Sequence, residues 1–340
     1  MKELIISDRE ANQRLDKFLG KYMDKAPAGF FYKMMRKKNI VLNGKKVSGK
    51  EKLQPGDEIK LFLSDETIDK FTGLERTVRA PVWNQKLEVI YEDEHVLLVN
   101  KPVGMLSQKA KPGDVSLVEA VTDYLVQTGS LTQEDLRIFR PGICNRLDRN
   151  TSGIVTAGKS LAGLQALSRG FKERSFGKYY RCLVKGEITE KKLVSGYLIK
   201  DGRKNQVTIR KSPVEGAAWI ETEYRPVRIA DGYTLLEIHL ITGKPHQIRA
   251  HLASEGYPII GDYKYGNKKI NDLFRRDYGL TSQLLHAYRL EFPQMESTLR
   301  ALSGKVFYAE EPELFQQIQE DVTGKAVGRD DRKNWRGQGL

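Results

Sequence analysis

The chain has 340 residues, and its 57 lysine and arginine residues against 44 aspartate and glutamate residues give a formal net charge of +13 at pH 7. A basic chain of this length has room for more than one module and is expected to bind a polyanion, either nucleic acid or an anionic membrane surface. No apolar run is long enough to span a bilayer and the first residues have no signal-like apolar region, so nucleic acid is the stronger hypothesis and we expect no membrane partner. Two cysteines, Cys144 and Cys182, are too few for a disulfide framework or a zinc site, which favours a reducing cytoplasm.

Residues 12–63 have the pattern of a small module with two helices and a hairpin. A first helix with one buried face is predicted by apolar residues at helical spacing, namely Leu15, Phe18, Leu19, Tyr22 and Met23. A second short helix is predicted over 30–38. Asn43-Gly44 between two short apolar runs predicts a two-residue hairpin turn, and a strand follows at 59–63.

This module carries 13 basic and five acidic residues, so its net charge of +8 is over half of the excess of the whole chain. A charge run is usually a solvated face, but its concentration on two helices and a hairpin favours binding to phosphate groups. The layout is similar to the S-four-type RNA-binding domain, which holds structured RNA with its second helix and the following hairpin. The resemblance implies phosphate contacts from Lys33, Arg36, Lys37, Lys38, Lys45 and Lys46.

Composition also divides the rest of the chain. Residues 64–86 are mixed and irregular, which predicts a linker. A larger domain is expected over 87–318. Residues 324–340 are basic and have little to bury, which is typical of a disordered tail.

The stretch Asn145–Gly153 of this larger domain, N-R-L-D-R-N-T-S-G, places one carboxylate between two guanidinium groups. In an extended segment Arg146 and Asp148 share a face and Leu147 turns to the opposite side. Positive neighbours favour an ionised carboxylate, which suits a nucleophile or an electrostatic stabiliser. From the local residues alone, the pattern favours a structural ion pair over a catalytic carboxylate.

Three further stretches flank this one. Residues 87–102 predict two strands, and the second ends in the sequence N-K-P-V-G. Residues 178–186 read K-Y-Y-R-C-L-V-K-G and predict a strand, in which a tyrosine is ordinarily a packing residue. Residues 242–266 predict a glycine turn, a short helix and a second turn rich in glycine and proline. The spacing of His246 and His251 fits a helical metal pair poorly, so we expect structural hydrogen bonds and no metal.

Together these stretches resemble the motifs of the RluA-type pseudouridine synthases, which isomerise uridine in RNA. The resemblance places Asp148 at the catalytic aspartate, Tyr180 at the active-site tyrosine and Arg249 at the arginine that pairs with that aspartate. It also assigns Arg146 and Ile248 to substrate binding, and it gives Lys101 and Pro102 a structural role in bracing the loop beside the active site. The chain departs from the family pattern at Asn145, where His is usual, and at Lys244-Pro245.

The resemblance implies an α+β fold, with a mixed, largely antiparallel sheet and flanking helices, plus the small N-terminal module. It further implies a monomeric isomerase without cofactor or metal, acting on large-subunit (23S) ribosomal RNA or on the precursor of the large subunit. Two alternatives remain within RNA biology: a transfer-RNA pseudouridine synthase and a non-catalytic RNA-binding or ribosome-assembly factor. A glycosylase or hydrolase would need a second carboxylate near Asp148 to activate water, and Asp262 is the sole acidic candidate within the matched motifs.

Overall fold

The structure is a computed structural model that describes residues 1–7, 10–72, 86–111, 113–132, 135–201 and 206–324. Most of the predicted linker and all of the predicted tail beyond Gly324 lie outside these residues. Across the described part of the chain, no helix has both the length and the apolar character needed to cross a membrane.

The strands of the described residues are, in chain order, β1 (Lys2–Ile5), β2 (Ile40–Leu42), β3 (Lys45–Lys46), β4 (Glu58–Leu61), β5 (Glu88–Glu92), β6 (Val96–Lys101), β7 (Gly142–Ile143), β8 (Ser152–Gly158), β9 (Gly177–Lys185), β10 (Lys192–Asp201), β11 (Gln206–Arg210), β12 (Ala218–Ala230), β13 (Tyr233–Leu240), β14 (Leu285–Glu291) and β15 (Val306–Tyr308). The helices are α1 (Leu15–Tyr22), α2 (Ala28–Arg36), α3 (Asp65–Phe71), α4 (Leu117–Gln127), α5 (Asp135–Ile138), α6 (Leu161–Glu173), α7 (Gln247–Ser254), α8 (Lys268–Tyr278) and α9 (Glu313–Thr323), with a 3₁₀ helix at Ser297–Leu302.

The N-terminal module forms a four-stranded sheet in the order β1-β4-β2-β3, beside α1 and α2. Its helices and hairpin match those predicted. Asn43 and Gly44 have φ angles of 50° and 71°, the left-handed pair that a tight hairpin turn between β2 and β3 requires. The buried face of α1 contributes Leu15, Phe18, Leu19 and Tyr22 to the apolar core of this module.

Two elements of the module were not predicted. Strand β1 pairs with β4 and lies before residue 12, and helix α3 lies inside the segment predicted as a linker. The apolar core of the module extends beyond residues 12–63 in both directions, because it includes Ile6 before this range and Ile68 after it. The pattern missed β1 because its residues alternate only over a very short run, and it missed α3 because one buried residue gives no periodicity.

The backbone divides into two compact units. The first consists of Met1–Arg149, Ile154–Phe176 and Glu291–Ala309, and the second of Asn150–Gly153, Gly177–Leu290 and the chain from Glu310 onward. Besides the module, the first unit contains β5, β6 and most of β8, which are neighbours in that order, and β7 pairs with the end of β8. Strand β6 is buried along its whole length.

The second unit is built on a sheet with the order β11-β10-β12-β13-β9-β14. The pairs of β10 with β11 and β12, and of β13 with β12 and β9, are antiparallel, whereas β14 runs parallel to the start of β8. On one face, Ala250 of α7 packs against Leu198, Val207 and Ile220. On the other, α8 and α9 pack against the apolar end of β9 and β13. The predicted α+β class with a mixed, largely antiparallel sheet is confirmed.

Candidate active site

Asp148 lies on the loop that joins β7 to β8. Leu147 is buried at 7% exposure, Arg146 and Arg149 are exposed, and Asp148 is half-buried. This is the predicted alternation, in which the apolar side chain turns inward and the charged ones turn outward. The loop therefore presents Arg146 and Asp148 on its outer side, in the first unit.

The residue before Asp148 is held through its main chain. The Ser107 hydroxyl donates to the carbonyl oxygen of Leu147 at 2.7 Å and accepts from the Leu147 amide at 3.1 Å. Ser107 itself is buried at 4% exposure. A single side chain thus satisfies both main-chain polar groups of Leu147, the residue before the candidate nucleophile, and this limits where the aspartate can move.

The residue after Asp148 is held by the N-K-P-V-G segment. The ammonium group of Lys101 donates to three carbonyl oxygens, those of Pro102, Met105 and Arg149, at 2.8 to 3.1 Å. The amide of Gly104 donates to the Arg149 carbonyl as well, at 2.9 Å. The predicted bracing role of Lys101 is confirmed by these contacts. Burial lowers the pKa of Lys101 to about 7, while the negative charge of Asp148 acts to raise it.

Asn145, at the position where the family usually has histidine, holds the loop through its side-chain amide. Its Oδ1 accepts from the amide and the hydroxyl of Thr156, at 2.8 and 3.1 Å, and its Nδ2 donates to the Ile154 carbonyl at 3.1 Å. The side chain therefore ties the loop to β8 with neutral hydrogen bonds. No ionisable ring is needed for that structural role.

The residues that follow Asp148, Thr151 to Gly153, belong to the second unit and are fixed there. Gln283 donates to the Thr151 hydroxyl at 3.2 Å, and the Ser152 hydroxyl lies 2.8 Å from Nδ1 of His286. Gly153 has a φ of 115°, and a Cβ at that position would lie 2.2 Å from the carbonyl oxygen of Ala287. Only glycine fits this approach between β8 and β14, which accounts for the last residue of the motif.

Tyr180 lies on β9 in the second unit, where it pairs with Ile238 of β13 and is 8% exposed. Its neighbours Tyr179 and Arg181 point to the opposite face of the strand, and Tyr179 stacks on His239 with ring centroids 4.7 Å apart. The alternation along β9 separates the two adjacent tyrosines. Tyr180 is the one on the face covered by α7.

Arg249 lies on α7 and forms a buried ion pair with Asp262. Its Nε donates to Oδ2 at 2.7 Å and its Nη2 to Oδ1 at 2.9 Å, with both side chains under 10% exposed. Asp262 Oδ1 also accepts from the amides of Lys264 and Tyr265. The sequence patterns did not predict this ion pair, although both residues lie in matched motifs. The neighbouring Ile248 is buried at 5% exposure.

The hydrogen bonds that Asp262 accepts argue against the hydrolase alternative. A carboxylate that activates water must reach solvent, yet Asp262 is 2% exposed and its oxygens accept from a guanidinium group and two amides. The one acidic residue on which a hydrolase mechanism depended is thus a structural residue. This finding argues against that alternative.

The histidines and cysteines have structural surroundings. His246 Nδ1 lies 2.9 Å from the Tyr265 hydroxyl, and His251 Nδ1 lies 3.1 Å from the Thr222 hydroxyl, so both are the structural hydrogen-bonding residues predicted. Burial raises the pKa of the Cys144 thiol to about 11 and raises that of Cys182 still further. Within the described residues, no cluster of three or more His, Cys, Asp or Glu side chains is suited to hold a metal ion.

All six basic residues assigned to phosphate contacts are exposed. They lie at the end of α2, directly after it and on β3, as Lys33, Arg36, Lys37, Lys38, Lys45 and Lys46. The structure thus gathers them on one helix end and one hairpin of the module.

Comparisons with known proteins identify the family of the chain. Residues 95–254 match the model of the RNA pseudouridylate synthase family. An uncharacterized RNA pseudouridine synthase of Mycoplasma genitalium is 31% identical over 304 residues, covering 87% of this chain and 90% of that protein. The ribosomal large subunit pseudouridine synthase C of Vibrio vulnificus is 30% identical over 294 residues, covering 84% and 87%.

The fold has a counterpart among solved structures. Human RNA pseudouridylate synthase domain containing 4 superposes with a TM-score of 0.55 at 18% identity, covering 68% of this chain and 92% of that one. The family match and the relatives identify the chain as an RNA-modifying isomerase. The chain belongs to the RluA-type family of RNA pseudouridine synthases.

Proposed function

We propose that this enzyme isomerises specific uridines in large-subunit (23S) ribosomal RNA, with Asp148 as the catalytic carboxylate. The observation that carries the proposal is the anchoring of the Asp148 loop. The main chain on both sides of the aspartate is hydrogen-bonded to Ser107 and Lys101, while the carboxylate stays on the outer side of the loop. A residue held in this way is preorganised for reaction with a bound nucleotide.

The substrate assignment follows the relatives. The protein of Vibrio vulnificus carries the name ribosomal large subunit pseudouridine synthase C, and related proteins of Vibrio cholerae and Pasteurella multocida carry the same name. The exposed basic surface of the N-terminal module supports a large structured RNA, since phosphate contacts add affinity without reading sequence. We further propose that the enzyme is a monomer in the cytoplasm and acts on 23S RNA or on precursor large subunits.

The reaction begins with exposure of the target base. A uridine in folded RNA is flipped out at a cost of a few kcal/mol, and contacts from Lys33, Arg36 and their basic neighbours offset this cost. Asp148 then attacks the nucleotide, at the anomeric carbon of the ribose or at the base. The bond from N1 to the ribose breaks, the uracil rotates while it is held, and C5 bonds to the same anomeric carbon. The bond to Asp148 is released, which restores the carboxylate. Loss of the C5 proton and protonation of N1 complete an isomerisation that consumes no co-reactant.

Other residues take supporting roles in this proposal. Tyr180 stacks on the uracil and assists removal of the C5 proton. Arg249 keeps Asp148 ionised and oriented, and its own position is fixed by the ion pair with Asp262. Arg146 and Ile248 contact the substrate nucleotide.

The test is release of tritium from C5 of labelled uridine in large-subunit RNA, with wild type beside Asp148→Asn. We expect release by wild type alone, followed by mapping of the modified position. The Asp148→Asn variant should bind RNA as wild type does, because the carboxylate contributes to the chemical step. Release from transfer RNA only would overturn the substrate assignment, and no release from either RNA would indicate a binding factor.

A further inference from the structure

On the face of the second unit's sheet that points away from α7, strands β10, β11 and β12 carry a row of side chains that the catalytic mechanism does not use. Tyr197 of β10 pairs directly with Arg210 of β11 on one side and with Trp219 of β12 on the other. Direct cross-strand partners project to the same face of an antiparallel sheet. The three side chains therefore form one continuous row, which we call the aromatic row.

The aromatic row lies on the opposite face from Tyr180. Tyr180, Ile238 and Tyr224 are cross-strand partners in another row, and Trp219 is an odd number of residues from Tyr224 along β12. The face of Tyr180 is covered at this end by α7 through Ala250. The aromatic row thus belongs to a second surface of the same sheet.

This surface is open to solvent. Trp219 is 43% exposed, Leu193 on the same face is 57% exposed, and Tyr197 and Trp219 meet edge to face with ring centroids 5.0 Å apart. Exposing an indole on a flat sheet forgoes the stabilisation that burial of a large aromatic ring provides. An exposed indole ring of this kind is suited to stacking against a planar ligand.

The charge beside the row identifies the kind of ligand. Residues 200–211 contain five basic residues and one acidic residue. Arg210 belongs to the row and is exposed, and the exposed Lys211 follows it directly. Two carboxylates, Glu221 and Glu223, follow Trp219 on the same face of β12, and Glu223 is neutralised by Lys191 at 2.9 Å. Arg210 therefore places a guanidinium group next to the rings, at the β11 edge.

We propose that the aromatic row binds unpaired nucleotides of the substrate RNA, outside the nucleotide that is modified. Two bases stack on Trp219 and Tyr197, and Arg210 and Lys211 contact the connecting phosphates. Aromatic rings beside cations on a sheet surface hold single-stranded RNA, because each base stacks on a ring and each phosphate linkage carries a negative charge that pairs with a cation. The inference rests on RNA as the substrate class and does not depend on which RNA is modified.

The first test compares Trp219→Ala with wild type in binding a fluorescein-labelled oligouridylate and a fully paired RNA duplex. We expect the variant to bind the single strand at least about 10-fold more weakly, from the loss of one stacked base, and to bind the duplex unchanged. Trp219→Phe should recover part of the affinity. Leu193→Ala is the matched control, because it removes an equally exposed apolar side chain from the same face without removing a ring, and it should bind as wild type.

Activity supplies a second readout. With the RNA substrate, Trp219→Ala should raise the KM for tritium release and leave kcat unchanged, because the aromatic row does not touch the reacting nucleotide. The inference is overturned if Trp219→Ala and Tyr197→Ala both bind the single strand as wild type does, or if Leu193→Ala loses as much affinity. It is also overturned if wild type dimerises in sedimentation and Trp219→Ala does not. Oligouridylate binding remains measurable even if large-subunit RNA is not a substrate, so the two proposals can fail separately.

Discussion

Arg249 and Asp262 are joined by two hydrogen bonds, from Nε to Oδ2 at 2.7 Å and from Nη2 to Oδ1 at 2.9 Å, in a site where neither side chain is more than one-tenth exposed. A planar guanidinium that meets a carboxylate at two points is fixed in orientation as well as in position. The pair requires the chain after α7 to return toward the helix, so that Asp262 reaches Arg249. It also makes Asp262 a residue through which the placement of Arg249 can be tested.

Replacing Asp262 with Ala should destabilise the protein by about 3–5 kcal/mol, because it leaves the buried Arg249 charge without its carboxylate partner. Urea denaturation measures this free energy of unfolding. Asp277→Asn is the matched control, since Asp277 pairs with Arg276 at the surface and the change should have little effect. Equal stability of the two variants would show that the buried pair contributes nothing.

Ser107→Ala removes the hydroxyl that satisfies both polar groups of Leu147. We expect a loss of about 1–3 kcal/mol in stability and a lower kcat for tritium release, with RNA affinity unchanged. Ser160→Ala provides the comparison, because Ser160 is also buried and accepts from the Gly163 amide at 3.0 Å, but it lies away from the Asp148 loop. That variant should lose stability and keep its kcat. A fall in kcat of the same size in both variants would contradict the anchoring role.

The Lys101 ammonium makes stability depend on pH. Its pKa is about 7 in the folded protein because of burial, against about 10.4 in an unfolded chain, so between these values the unfolded state binds more protons and stability rises with pH. Asp148 opposes the lowering, so Asp148→Asn should lower the pKa of Lys101 further.

The variant should therefore be less stable than wild type at pH 6, where Lys101 is charged in wild type, and the gap should shrink at pH 9, where Lys101 is neutral in both. If the pKa of Lys101 falls by one further unit in the variant, the free energies of unfolding of the two proteins should differ by up to about 1.4 kcal/mol. Denaturation of both proteins at the two pH values measures it. A gap that is independent of pH would show that the two charges do not interact.

The basic surface of the N-terminal module should determine how strongly RNA binding depends on salt. Replacing Lys37, Lys38 and Lys45 with Gln removes three exposed cations, and the slope of log affinity against log salt should fall by about 2. The matched control replaces Lys17, Lys25 and Lys52, which are exposed in the same module but lie outside α2 and its hairpin. An equal fall in slope for both variants would show that only total charge matters.

Sequence patterns predicted the parts of this protein in which local chemistry decides the structure. The Asn43-Gly44 turn has one favourable backbone conformation, and the buried face of α1 follows from its spacing. The motif positions of Asp148, Tyr180 and Arg249 came from the family resemblance, and their catalytic roles stay a proposal.

The sequence patterns did not predict contacts between residues that are far apart in the chain. The partner of Arg249 is 13 residues away along the chain, and Ser107 lies 40 residues from the peptide that it anchors. Nothing in a single sequence links such positions, because the contacts depend on how strands and loops meet. The aromatic row has the same origin, since Arg210, Tyr197 and Trp219 become neighbours only through the register of three strands.

The anchors of the Asp148 loop bind main-chain atoms: the amide and carbonyl of Leu147 and the carbonyl of Arg149. Main-chain groups are the same whichever amino acid occupies a position. The side chain at 149 can therefore be exchanged without releasing the aspartate from its place. An engineer who wished to retarget this enzyme to another RNA could vary Arg149, and Arg146 beside it, while leaving Ser107 and Lys101 untouched.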